Sequence, residues 1–152
     1  PHLEAAAVQA IFTPRALQTD PQKLAIERSN ELAAELLASD ILLLSMPMWN
    51  FGVPSAIKAW IDHVVRAGIT FNYTPAGVQG HAEKTRAIVV AASGAVFSDG
   101  PMSAWDHLVP YVTHVLGFIG IKDIQVVRLE GTISAPQDAL ANAQKAIQGL
   151  TL

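Results

Sequence analysis

Ile41-Leu42-Leu43-Leu44-Ser45-Met46 runs directly into Pro47-Met48-Trp49-Asn50-Phe51-Gly52-Val53-Pro54. The first six residues form a continuous rather than alternating apolar run, the pattern of a strand buried on both faces of a parallel sheet. The next eight hold two prolines, an asparagine and a glycine, which mark a loop. Pro54 suits the opening of a helix, and Ile57, Trp60, Ile61, Val64 and Val65 follow at helical spacing. A strand therefore delivers aromatic side chains, an amide and a glycine to a strand-to-helix loop. In open α/β sheets ligands bind beyond the carboxyl ends of the strands, so this loop is the leading candidate for a site.

The same alternation extends in both directions. Upstream, Thr19-Asp20-Pro21 reads as a helix start with Asp20 as cap, and Leu24, Ala25, Ser29, Leu32, Ala33, Leu36 and Leu37 recur at helical spacing. Ala5–Val8 reads as a short helix. Downstream, Gly68 fits the cap of the second helix, Thr70–Thr74 reads as a short extended piece, and Pro75-Ala76-Gly77 as a turn. Ala87–Ala92 is a second buried strand, ending in the small-residue loop Ser93-Gly94-Ala95. Trp105 to Leu116 carries a helical stripe that Pro110 must kink or delay. Ile124–Leu129 is a third strand, and Ser134, Pro136 and Gln137 look like a capping box for a last helix. Strands alternating with helices predict one α/β domain over 1–152, with a parallel sheet between helical layers.

Composition narrows the chemistry. The chain has 152 residues, of which 51% are hydrophobic, ample for one core. The net charge of −3 offers no footprint for nucleic acid or an acidic membrane surface. The absence of cysteine excludes disulfides, iron–sulfur clusters and thiolate catalysis. The apolar runs fall short of the roughly 18 residues a membrane span needs. A cytoplasmic protein is the default expectation. The five histidines show no metal-binding spacing, so no metal site is expected. Ser93 lacks the first glycine of a nucleophile elbow, which argues against a hydrolase.

A planar redox ring needs flat apolar surface, hydrogen-bond partners along one edge, and backbone that can approach closely. Met48, Trp49 and Phe51 offer surface, Asn50 an amide with two donors and one acceptor, and Gly52 conformational freedom. Ser93-Gly94-Ala95 lies at the same sheet edge if the two strands are parallel neighbours. The residues alone leave a second reading open, in which Trp49 and Phe51 cap the core and Asn50 makes a turn.

A resemblance weighs between them. Pro47-Met48-Trp49-Asn50-Phe51-Gly52-Val53-Pro54, the later Arg66-Ala67-Gly68-Ile69-Thr70-Phe71-Asn72-Tyr73-Thr74 and Gly117-Phe118-Ile119-Gly120 resemble the FMN-dependent NADH:quinone oxidoreductase/azoreductase family. That resemblance implies a flavodoxin-like three-layer α/β/α fold with a parallel sheet. It implies that Pro47, Met48, Trp49, Asn50, Phe51 and Gly52 form one flavin-binding loop and Ser93, Gly94 and Ala95 the other. Trp49 stands where many members have tyrosine, and Ala95 where glycine is common. Tyr73, Phe97 and Phe118 are implied to border the substrate pocket, with Tyr73 or Phe118 serving a partner subunit in a homodimer. The implied chemistry is ping-pong transfer of two electrons from NADH or NADPH, through FMN, to a small quinone or azo compound, with no catalytic side chain. The family opens with a β-α-β unit carrying a phosphate-binding loop, which nothing here matches. The resemblance thus implies that the first two strands, roughly 50 residues, are missing from this chain. An alternative expectation follows: a catalytically inactive fragment that acts only by self-association through the exposed edge of its first strand.

Overall fold

The computed structural model describes residues 1–151. The helix α1 (Ala5–Ile11) opens the chain. The helix predicted from Asp20 is two: α2 (Asp20–Ala25) and α3 (Glu27–Ala38) break at Ile26. The cap is Thr19 rather than Asp20. Thr19 and Gln22 form a reciprocal capping box in which the Gln22 N–H donates to Thr19 Oγ1 and the Thr19 N–H donates to Gln22 Oε1.

Strand β1 (Ile41–Pro47) leads to α4 (Ser55–Val64), then to β2 (Phe71–Thr74) and β3 (Gly77–Gly80). Strand β4 (Arg86–Ala92), helix α5 (Val109–Phe118), β5 (Ile124–Leu129) and α6 (Pro136–Gln148) complete the order. The main sheet is parallel in the order β1-β4-β5, with Leu44 opposite Val89 and Val89 opposite Val126. Pro110 sits in the first turn of α5, so the helix starts late rather than kinking. β3 was not foreseen: Pro75 and Ala76 turn the chain into an antiparallel hairpin in which Phe71 pairs with Gly80. At Gly80 a Cβ would lie 2.2 Å from the Gly120 nitrogen, so the hairpin docks on the α5 terminus backbone to backbone.

Leu44 and Met46 join Ala87, Val89 and Ala91 on the face packed by Val64 of α4 and Val112 and Leu116 of α5. Ala139 and Ala143 of α6 are buried on the opposite side, over β5. Three readings need correction. β1 is not buried on both faces: Ile41 and Leu43 are 44% and 62% exposed, because α6 covers the β5 side of that face and β1 lies at the sheet edge. Gly68 does not cap α4, which ends at Val64; it turns with φ +78° farther on, its N–H bonded to Phe71 O. Ser134 caps nothing: α6 begins after Ala135 with Pro136 in its first turn, and the Ser134 hydroxyl returns to Gly131 O. Among the described residues no helix is long and apolar enough to cross a membrane.

Candidate functional site

The two small-residue loops lie side by side because β1 and β4 are parallel neighbours. The Met48 N–H donates to Ala92 O at 2.7 Å, continuing the ladder past the strand end. Trp49 and Gly52 then exchange backbone hydrogen bonds of 3.1 and 3.0 Å around a tight turn. Its central residues, Asn50 and Phe51, have φ +47° and +70°, the positive pair that type I′ turns require. Asparagine tolerates this region, but phenylalanine there is a true outlier. Gly52, expected to supply unusual dihedrals, has no positive φ, and a Cβ on it would meet only Trp49 O at 4.0 Å. The strain falls on Asn50 and Phe51 because the turn's reversal happens between them.

This turn projects its side chains outward. Trp49 is 63% exposed and Phe51 is 44% exposed. Phe51 meets Phe97 and Trp105 edge-on at centroid distances of 6.1 and 5.7 Å. Pro47 and Asn50 are exposed, and Met48 packs against the core below. An open cleft of about 490 Å³ lies along Trp49, Asn50, Val53, Pro54 and Ser55.

In the second loop the Ser93 hydroxyl donates to Ala95 O, and the Ser93 carbonyl accepts from the Thr132 N–H and hydroxyl. At Gly94 a Cβ would lie 2.6 Å from Ile133 Cδ1, the tip of a side chain that is 87% exposed and free to move aside. The N–H groups of Asn50, Phe51, Gly94 and Ala95 find no acceptor among the described residues, and the Asn50 amide makes no side-chain bond. Four unpaired donors thus flank the aromatic pair.

One cluster that sequence reasoning missed holds these loops together. Arg128, on β5, donates to Asp106 Oδ2 at 2.7 Å and to Glu130 Oε1 at 2.9 Å. Glu130 accepts from the Phe97 and Ser98 N–H groups, fixing the second loop. Asp106 accepts from the Leu108 and Val109 N–H groups, holding the backbone at the start of α5. The neighbouring His107 N–H donates to Phe51 O, fixing the first loop. Burial alone would lower the Arg128 pKa, but bonds to Asp106 and Glu130 outweigh it and hold the guanidinium above its ordinary value. An alternating Arg128-Leu129-Glu130 at a strand end was the available signal, and it looks like ordinary surface charge.

The implied pocket residues do not all meet within one chain. Phe97, 6% exposed, sits with Phe51. Tyr73 packs on Phe71 at 5.3 Å, and Phe71 on Phe118 at 4.7 Å. That cluster lies at the far end of α5, whose ten residues span about 15 Å. Tyr73 and Phe118 are therefore separated from the loops because α5 runs the length of the sheet between them.

A parallel sheet with helices on both faces and paired loops at its carboxyl edge defines a flavodoxin-like α/β protein. The family described as having a flavodoxin-like fold matches residues 1–150. An FMN-dependent NADH:quinone oxidoreductase of Beijerinckia indica is 46% identical over 155 residues, covering 100% of this chain and 76% of the relative. A second protein of that name, from Pseudomonas fluorescens Pf0-1, is 44% identical over 131 residues, covering 86% of this chain and 64% of the relative. The structure of a Bacillus anthracis FMN-dependent NADH-azoreductase in complex with FMN superposes with a TM-score of 0.87 at 27% identity, covering 97% of this chain and 72% of that one. The chain belongs to the FMN-dependent NADH:quinone oxidoreductase/azoreductase family. It spans about two thirds to three quarters of the length of these relatives.

Two outcomes test the site's construction. Phe51→Gly and Phe51→Ala both lose the aromatic contacts, but only glycine is free of the left-handed penalty. Phe51→Gly is expected to be the more stable by about 1 kcal/mol in urea unfolding; the opposite order would remove the assigned strain. Arg128→Met leaves two carboxylates at 4% and 10% side-chain exposure without their cation. It is expected to cost about 2–3 kcal/mol, below the range for a sealed pair because Arg128 itself is 25% exposed. A loss under 0.5 kcal/mol would show that the loops do not depend on it.

Proposed function

We propose that this protein is an FMN-dependent oxidoreductase passing two electrons from NADH or NADPH to a small quinone or azo acceptor. The observation that carries this reading is the set of unpaired donors at Asn50, Phe51, Gly94 and Ala95 around exposed Trp49 and Phe51. The set fits the polar edge and flat face of an isoalloxazine ring. The family membership agrees, since the relatives named above are FMN-dependent.

Bound FMN supplies the two-electron exchange, and the chain supplies position, electrostatics and exclusion of water. Pro47 and Met48 carry the first loop off the sheet. Trp49 and Phe51 provide flat contact area. The Asn50 amide and the four N–H groups stabilise negative charge along a ring edge, and they are preorganised because the turn and the Arg128 cluster hold the backbone. Gly52 closes the first turn, and Ser93 fixes the conformation of Gly94 and Ala95 through its bond to Ala95 O. Phe97 closes the inner wall of the acceptor pocket. Donor and acceptor enter this pocket in turn, so the order is ping-pong. Residues 1–152 act as one flavodoxin-like domain of the enzyme.

The separation of Tyr73 and Phe118 from the loops supports reading the protein as a homodimer. An apolar groove of about 430 Å³ runs along Leu3, Val8, Ile61, Tyr111 and Phe118. A second copy seated there would bring its own loops towards Phe118, completing a pocket that one chain leaves divided. The wild-type protein should sediment as a dimer, and Val8→Glu should shift it to monomer with the fold intact. A monomeric wild-type protein at tens of micromolar, a working range chosen for weak interfaces, would overturn the shared pocket.

The inactive, self-associating alternative has its structural motive in the exposed edge of β1, but the comparisons lend it no support. FMN titration separates the two. Added FMN should give a protein-bound flavin band near about 450 nm, a property of the cofactor that the site tunes. Asn50→Leu should weaken binding by two- to tenfold, about 0.5–1.5 kcal/mol for one hydrogen bond. Unchanged affinity would remove Asn50 from the site, and failure of the wild-type chain to take up FMN would overturn the flavoenzyme reading for this chain.

A further inference from the structure

Arg66 lies just beyond α4, at the end of that helix opposite the Pro47–Pro54 loop. It is 5% exposed, yet it forms no salt bridge among the described residues. Its one side-chain bond runs from Nη1 to Ser29 Oγ, and Ser29 in turn donates to His63 O at 2.6 Å. The backbone around it is fixed. The Arg66 N–H donates to Thr70 Oγ1, and Arg66 O accepts from the Ile69 and Thr70 N–H groups. Buried arginine is expected to carry a carboxylate partner. Here burial lowers its pKa, with nothing opposing that shift.

The remaining guanidinium donors are not sealed inside the protein. Among the described residues the one fully enclosed side-chain nitrogen or oxygen without a partner is His63 Nδ1. Arg66 Nε and Nη2 have no protein acceptor and are absent from that class, so they are reached from outside. What reaches them is a cleft of about 740 Å³, lined by Arg66 together with Arg15, Asn30, Ile26 and Leu37. No aspartate or glutamate lines it, although the chain as a whole carries a net charge of −3. Asn30 adds an amide with no side-chain partner among the described residues. The cleft therefore combines a fixed, desolvated guanidinium, a second cation at its rim and apolar walls.

We propose that this cleft is a second binding site, which takes a small organic carboxylate on an apolar body. Arg66 offers its two free donors in the fork geometry that matches a carboxylate. Arg15 adds charge from the exposed 3₁₀ turn at Arg15–Leu17, and Ile26 and Leu37 accept the hydrocarbon part. The site is independent of the flavin reading, since the ten residues of α4 place it about 15 Å from the loops.

Benzoate tests this, with benzamide as a neutral control of the same shape. In the uniformly ¹⁵N-labelled full chain, benzoate should shift the Ala67, Gly68 and Ile69 amides and the Arg66 side-chain resonance saturably, and benzamide should not. Arg66→Gln should weaken benzoate binding at least about tenfold, as loss of a charge-assisted pair implies. Should that variant fail to fold, Arg15→Gln decides, because Arg15 is exposed and bears no core contact. It should weaken binding about threefold, the scale of a partly solvated charge. Equal shifts with benzamide, shifts centred on Trp49 to Gly52 instead, or benzoate affinity unchanged in Arg15→Gln would each overturn the site.

Discussion

A single guanidinium sets the relation between the two loops of the candidate site. Arg128 reaches Asp106 with one arm and Glu130 with the other. Each carboxylate converts that contact into backbone geometry: Asp106 at the start of α5, Glu130 at Phe97 and Ser98. Bonds to charged groups contribute about 1.5–3 kcal/mol each where water is excluded. Asp106 and Glu130 are nearly enclosed, so the arrangement tolerates no loose alternative. Because His107 follows Asp106 and bonds Phe51 O, the strained turn is tied to the same cluster.

That tie explains how a phenylalanine persists at φ +70°. The turn's own bonds, the edge-on contacts with Phe97 and Trp105, and the His107 N–H together over-determine the backbone. In exchange the turn holds Trp49 out to solvent and leaves its N–H groups free. Strain, exposed aromatic area and unpaired donors thus meet at one place, the carboxyl edge of a parallel sheet.

Much of this is legible in the chain. The continuous runs Ile41–Met46 and Ala87–Ala92, with helical spacing between them, identify a parallel α/β sheet and place Asn50 and Gly94 at neighbouring strand ends. The Pro-Met-Trp-Asn-Phe motif and the later Ala-Gly-Ile-Thr-Phe-Asn-Tyr stretch identify the family. Other features escaped. Strand β3 has no alternation to read, since Gly77 to Gly80 gains its strand conformation from pairing with β2 and from backbone contact with Gly120. The exposure of Leu43 is equally invisible, because an apolar run does not say which of its faces a helix will cover.

Local pattern therefore determined the strands of the main sheet, the longer helices and which side chains stand at strand ends, because those outcomes follow from neighbours a few residues apart. Only the tertiary structure decided the rest. It chose Asn50 and Phe51 over Gly52 to carry the left-handed backbone, and joined Arg128, Asp106 and Glu130 across 22 and 2 positions of sequence. It also buried Arg66 against Ser29, 37 positions away, without a carboxylate. The Arg128–Asp106 and Arg66–Ser29 contacts join segments remote in the chain, and such pairing depends on a distance that periodicity does not encode.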